Sequence, residues 1–114
     1  MSEISVSAAL DVHAGKLEEF RTVATAVIQV VREKDSGTRK YDWYHNADHS
    51  RYLVLEHYRD SEAVLEHIEN LGELFGALLE TCDLTLDVFG TPSAELAEAA
   101  AAIPTRVYTF YQGL

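Results

Sequence analysis

Two side chains able to carry protons near neutral pH, Glu56 and His67, accompany four aromatics, Trp43, Tyr44, Tyr52 and Tyr58. A carboxylate taken out of water becomes a stronger base because desolvation disfavours its charge. An imidazole accepts or donates a proton around physiological pH. Aromatic rings stack on planar ligands, and phenolic hydroxyls give them polar handles. Together these residue types suit proton transfer to or from an aromatic molecule. Each also has a plainer reading: Glu56 as a carboxylate held by Tyr hydroxyls or an Arg, His67 as a core histidine bonded to a neighbour, and the rings as sheet packing. His45, Asp48 and His49 are metal-ligand types close in sequence, but they fall in an expected turn and no distant cluster completes a set. His13 with Asp11 offers less still. There is no Gly-x-Gly-x-x-Gly, Walker loop, nucleophile elbow or Cys-x-x-Cys, so nucleotide, acyl-enzyme and dithiol chemistry have no sequence support.

The elements that must position these groups follow from periodicity. Ile4, Val6, Ala8, Leu10 and Val12 alternate with smaller or polar residues, which predicts a strand over 3–12. From Gly15 to Lys34 the apolar residues Leu17, Phe20, Ala24, Val27 and Val31 recur at helical spacing, and Asp35-Ser36-Gly37 closes that helix. Residues 38–45 and 51–59 form a hairpin around the turn-forming stretch 46–50. Asp60 or Ser61 caps a helical region over 61–82, with a break near Asn70 or Gly72. His67 shares its apolar stripe with Val64 and Leu71, and Cys82, the only cysteine, continues the stripe of Leu78 and Leu79 as a core residue. A strand through Leu84, Leu86 and Val88 stops at Gly90. Thr91-Pro92 starts a short helix that ends before Pro104, and residues 106–112 read as a fifth strand.

A βαββαβ order is the ferredoxin-like α+β arrangement, with both helices on one side of an antiparallel sheet. The alternation is read with Leu53 and Leu55 facing the helices beside Ile4, Val6, Leu84, Leu86 and Val88. Ser5, Ser7, Tyr52, Val54, Glu56, Tyr58, Thr85, Asp87 and Phe89 then share the opposite face. The register of 38–45 stays open between Tyr41, Trp43 and His45 on one face and Asp42 and Tyr44 on the other. The opposite face is too aromatic for open solvent and too polar for a plain core, so a second subunit is expected to cover it and leave a cavity between two sheets. The fifth strand can add to the partner's sheet edge.

The chain has 114 residues, 47% of them hydrophobic, and a net charge of −10, the size and balance of one domain over 1–114. Its core is expected at 3–90, with a helix-strand extension at 91–114. Such acidity argues against nucleic-acid or anionic-membrane partners, whose phosphates need clustered Lys and Arg. The N-terminal segment lacks the pattern of a signal peptide and no stretch is long enough to span a bilayer, so a cytoplasmic protein is expected.

Tyr41-Asp42-Trp43-Tyr44, then Tyr52-Leu53-Val54-Leu55-Glu56-His57-Tyr58-Arg59-Asp60-Ser61-Glu62-Ala63 and His67, resemble the signature of the antibiotic-biosynthesis monooxygenase family. The resemblance covers roughly residues 3–90. It implies a dimeric α+β barrel whose members include oxygenases of quinols, anthrones and related polyketides that use neither flavin, metal nor haem. It also implies a dry pocket in which the substrate is deprotonated and the resulting anion reduces O2, with Glu56 and His67 as catalytic groups and Trp43, Tyr44, Tyr52 and Tyr58 as pocket walls. A haem-degrading subset uses an Asn on the first strand, where this chain has Ser5, Ser7 and Ala9. The tail beyond Gly90 departs from the shortest members and can seal a dimer or close the pocket. The other reading is a non-catalytic dimeric barrel that binds a small apolar molecule or serves in stress response. A pocket packed shut by aromatics favours that second reading, and an open one reaching Glu56 or His67 favours the first.

Overall fold

The computed structural model describes residues 3–114. Strands β1 (Ile4–Val12), β2 (Thr38–His45), β3 (Arg51–Tyr58), β4 (Cys82–Phe89) and β5 (Thr105–Tyr108) form one sheet in the order β2-β3-β1-β4-β5. All neighbours are antiparallel except β4 and β5. Helices α1 (Leu17–Lys34), α2 (Ser61–Leu71), α3 (Glu73–Leu79) and α4 (Ala94–Ala99) complete the chain. This is the ferredoxin-like βαββαβ arrangement with an added α-β unit.

Helix α1 buries Phe20, Ala24, Val27 and Val31, a stripe at steps of four and three, and carries Glu18 and Glu19 in its first turn and Arg32 and Lys34 in its last, in accord with its dipole. Asp60 caps α2 by accepting from the Ala63 N–H at 2.9 Å. The helical region predicted over 61–82 is two helices, because Gly72 adopts a φ of 52° that ends α2 and redirects the chain into α3. Cys82 is buried as predicted, but on β4, where its Sγ donates to the Leu78 carbonyl.

Register corrects the predicted faces. Val6 pairs with Glu56 and Val88, Glu56 with Tyr41, and Val88 with Val107, so one row crosses the sheet as Tyr41, Glu56, Val6, Val88, Val107. The next row is Trp43, Val54, Ala8, Leu86, Thr105. Val6, Ala8, Val54, Tyr58 and Val88 are buried in the helix-side clusters, so Glu56 and Tyr58 face the helices and Leu53 and Leu55 face outwards, the reverse of the expected phase. The stretch Tyr52-Leu53-Val54-Leu55 is apolar in both phases, so alternation alone does not fix its face.

The tail also differs in detail. Ser93, not Thr91, caps α4 by accepting from the Leu96 N–H at 3.1 Å, and the helix stops at Ala99. Residues 105–108 rather than 106–112 form β5, and it pairs with β4 of its own chain. Leu96 anchors the unit in a cluster with Val64 and Tyr58, the Ser93 N–H donates to Ser61 Oγ, and Arg106 holds Asp87 through Nε at 2.8 Å and Nη2 at 3.3 Å.

Candidate active site

Between the sheet and the layer formed by α2, α3 and the C-terminal unit lies a cavity of about 490 Å³. It therefore sits on the helix side of the sheet, not between two sheets. Trp43, Glu56, Tyr58 and His67 all line it, as does Tyr41. Tyr44 does not: it is 51% exposed and follows the outward phase of β2 with Asp42. Tyr52 shares the inner face but lies beyond the cavity, its ring 4.6 Å from that of Phe20 and 5.6 Å from that of His45.

Glu56 and Tyr58 are two residues apart on β3 and project to the same side, so the Tyr58 hydroxyl donates to Glu56 Oε1. Burial pushes the Glu56 carboxyl up to about 7, against the Tyr58 hydrogen bond and with the help of nearby Asp35. Burial also raises Tyr41 and Tyr58, and the neighbouring Glu56 adds to both shifts, which keeps their hydroxyls as donors. The His67 ring lies against both tyrosines, at centroid distances of 5.1 Å from Tyr41 and 5.4 Å from Tyr58. Trp43 Nε1 is buried without a well-formed hydrogen bond, though near enough to the Tyr41 hydroxyl to favour its ionised form.

His67 is held from behind by a residue that sequence reasoning treated only as a helix breaker. Asp35, its side chain 1% exposed, accepts from His67 Nδ1 at 2.8 Å, from Thr38 Oγ1 at 2.6 Å and from Asn70 Nδ2 at 2.9 Å. A carboxylate can only accept, so Nδ1 carries the proton and Nε2 is left as the basic nitrogen. Burial lowers the His67 pKa, and Asp35 opposes part of that shift. Asp35 reaches this position because the chain turns sharply after α1. At Gly37 an added Cβ would lie 2.5 Å from that of Ala63, so the loop presses directly on α2 and brings Asp35 under His67. Thr38 is a local partner of Asp35, but His67 and Asn70 lie 32 and 35 residues away, and no local pattern signals that they converge on it.

The remaining titratable residues singled out from sequence are occupied elsewhere. Within the hairpin turn His45 contacts the Asn46 carbonyl, Asp48 accepts from Ser50, and His49 meets Arg21. His13 pairs with Asp83 rather than Asp11. Among the described residues no three His, Cys, Asp or Glu side chains converge as a metal site, and no helix is long and apolar enough to cross a membrane.

Residues 3–71 match the family model described as antibiotic biosynthesis monooxygenase. The chain belongs to that family. Several solved structures share its fold. MupZ from Pseudomonas fluorescens superposes with a TM-score of 0.85 at 17% identity, covering 100% of this chain and 94% of that one. Rv0793 from Mycobacterium tuberculosis gives 0.70 at 23% identity, with 81% and 97% covered. SnoaB from Streptomyces nogalater, a cofactor-independent oxygenase, gives 0.68 at 16% identity, with 82% and 97% covered. No curated protein matches in sequence. The C-terminal unit of this monooxygenase-family chain thus has a counterpart in fold in MupZ and lies outside the stretch that matches the family model.

Proposed function

We propose that the protein is a cofactor-independent monooxygenase that oxidises a small aromatic, quinol-like or polyketide-like substrate with O2, working as a cytoplasmic homodimer. The observation that carries the activity is an open cavity reaching both Glu56 and His67, with an ionisable carboxyl near neutral pH on one side and a basic imidazole nitrogen on the other. Membership of the family adds the precedent of oxygen chemistry.

The residues divide the work by their protonation states. Above pH 7 Glu56 is the carboxylate and takes a proton from the substrate's acidic C–H or O–H. His67, neutral and held by Asp35, accepts or returns a second proton through Nε2. Tyr41 and Trp43 line the same space; the Tyr41 hydroxyl, kept protonated by burial, is the donor for a substrate oxygen atom, and Trp43 offers the ring as an apolar wall. The deprotonated substrate is electron-rich and supplies the electrons to O2. One oxygen atom enters the product, and the other leaves as water after accepting the two protons that Glu56 and His67 handle. Apolar walls exclude bulk water, which makes the Glu56 carboxylate a stronger base, keeps the His67 imidazole neutral and protects the reactive anion.

Metal-stripped protein, supplied with a reduced quinol or an anthrone in an oxygen electrode, is expected to consume O2 and form the oxidised product. Absence of uptake across such a panel would overturn the assignment. The homodimer is supported by the outward sheet face, where Tyr44, Leu53, Leu55, Phe89 and Tyr108 are exposed around small Ser5 and Ser7. Light scattering is expected to give twice the chain mass, with Leu53→Asp shifting it to monomer; a strict monomer at all concentrations would remove this part.

A further inference from the structure

The lining of the cavity is not uniform in exposure. The residues deep on the sheet and on α2 are buried or half-buried, whereas the lining residues that remain exposed, Ala97, Ala99, Ala101, Pro104 and Val107, all belong to the C-terminal unit. The open side of the cavity is therefore framed by α4, the turn after it and β5. Its side chains there are small or apolar, and none is charged. The polar groups Tyr41, Glu56, Tyr58 and His67 are at the other end, under α2 and on β2 and β3. Register sets the span between the two: Glu56 and Val107 lie on the same row, separated by β1 and β4. Three inter-strand steps make about 14 Å.

We propose that the C-terminal unit is the entrance of the site and its specificity element, admitting an elongated uncharged ligand that enters with its acidic hydroxyl or C–H foremost and leaves an apolar body of about 14 Å against Ala97, Ile103 and Val107. The reading rests on the proposed chemistry only for what happens at the polar end. The unit is fixed well enough to act as a selective frame. Thr105 Oγ1 donates to the Ile103 carbonyl at 2.8 Å, the Leu86 N–H donates to the Pro104 carbonyl at 2.9 Å, and the Gly90 N–H donates to the Tyr108 carbonyl at 2.9 Å. A charged group on the ligand body would lose its water at this rim without meeting a counter-charge. An apolar body would instead gain burial along its whole length.

Binding of a homologous series of 4-alkylphenols, followed by the fluorescence of Trp43, tests this directly, since Trp43 is the only tryptophan and lines the cavity. Affinity is expected to rise up to about fourfold per methylene, and to level off once the extended molecule exceeds about 14 Å and further carbons reach water. Val107→Asp, at an exposed edge-strand position, should remove most of that gain for the long members and leave 4-ethylphenol within twofold. Ala97→Asp, on α4, should do the same and serves if the first variant does not fold. A flat dependence on chain length, or an equal loss for short and long members in the variants, would overturn the proposal. Length-dependent binding without oxygen uptake removes the monooxygenase reading and leaves the entrance standing; uptake with flat dependence does the reverse.

Discussion

At the residue scale the site is a set of neighbours that tune one another. Glu56, raised to about 7, titrates where the free side chain would already be ionised. In the proposed mechanism the reactive form is the carboxylate, so kcat/KM should increase with pH through about 7 and then level. Glu56→Gln should lower kcat by about 10²- to 10⁴-fold and erase that limb from the profile; an unchanged profile would take the base role from Glu56. In the proposed mechanism Asp35 is a positioning residue that acts only through His67. Asp35→Asn should cost about 1–3 kcal/mol of stability, because an amide cannot accept from three donors. It should also lower the His67 pKa further, read by NMR titration of the imidazole, because the group that favours the charged ring is gone. A purely structural Asp35 would change stability and leave that titration in place. Glu56 and His67 stood out in the sequence because their spacing matched a family pattern. Asp35 did not, because Asp-Ser-Gly after a helix is ordinary breaker chemistry, and its partners His67 and Asn70 are brought to it only by the fold.

Elements were legible where period and punctuation agreed. Helix α1 and strand β2 lie close to where their patterns put them, since α1 has one clear stripe and β2 is bounded by Gly37 and the 46–50 turn. The face of β3 was not legible: leucines at 53 and 55 compete with Val54 and Tyr58, and the choice is made by pairing with Ile4, Val6 and Ala8. That reversal moved the expected cavity from one side of the sheet to the other. The tail was misread in extent because alanines continue a helix pattern past Ala99, where the chain needs a turn to bring Thr105 beside Leu86. Gly37 shows how closely the elements must approach. Gly37→Ala places a methyl on Ala63 and should destabilise by about 1–3 kcal/mol, measured by urea unfolding. The displaced loop should also loosen the hold of Asp35 on His67. A variant as stable as the parent would show that the contact is not tight.

For the whole molecule, most of the groups behind the formal charge of −10 lie on the exterior, while the shifted groups that matter to stability, Glu56 and His67, are inside. A buried carboxyl with a raised pKa keeps its proton in the folded state over a range where the unfolded chain has lost it. Stability should therefore fall as pH rises from about 4.5 to about 7, by at most on the order of 3 kcal/mol, and be flat in this respect above that. His67 works in the opposite sense: its lowered pKa costs stability as pH drops below its ordinary 6.5. Comparing Glu56→Gln with the parent across pH 4.5 to 8 by thermal melting isolates the first effect, and the variant should be the more stable above pH 7. Equal melting temperatures throughout would mean that Glu56 is solvated in the folded state.

The C-terminal unit carries a last consequence, which lies in the order of the chain. The titratable side chains of the candidate site, Asp35, Tyr41, Glu56, Tyr58 and His67, all precede α3, whereas the exposed frame of the cavity lies wholly beyond Gly90. On the proposed roles, reactivity and choice of ligand lie in consecutive stretches of polypeptide. The two stretches meet where Leu96 packs on Val64 and Tyr58 and β5 pairs with β4, so any variation of residues 91–114 that retargets the centre must keep that seam while it changes the rim at Ala97 and Val107.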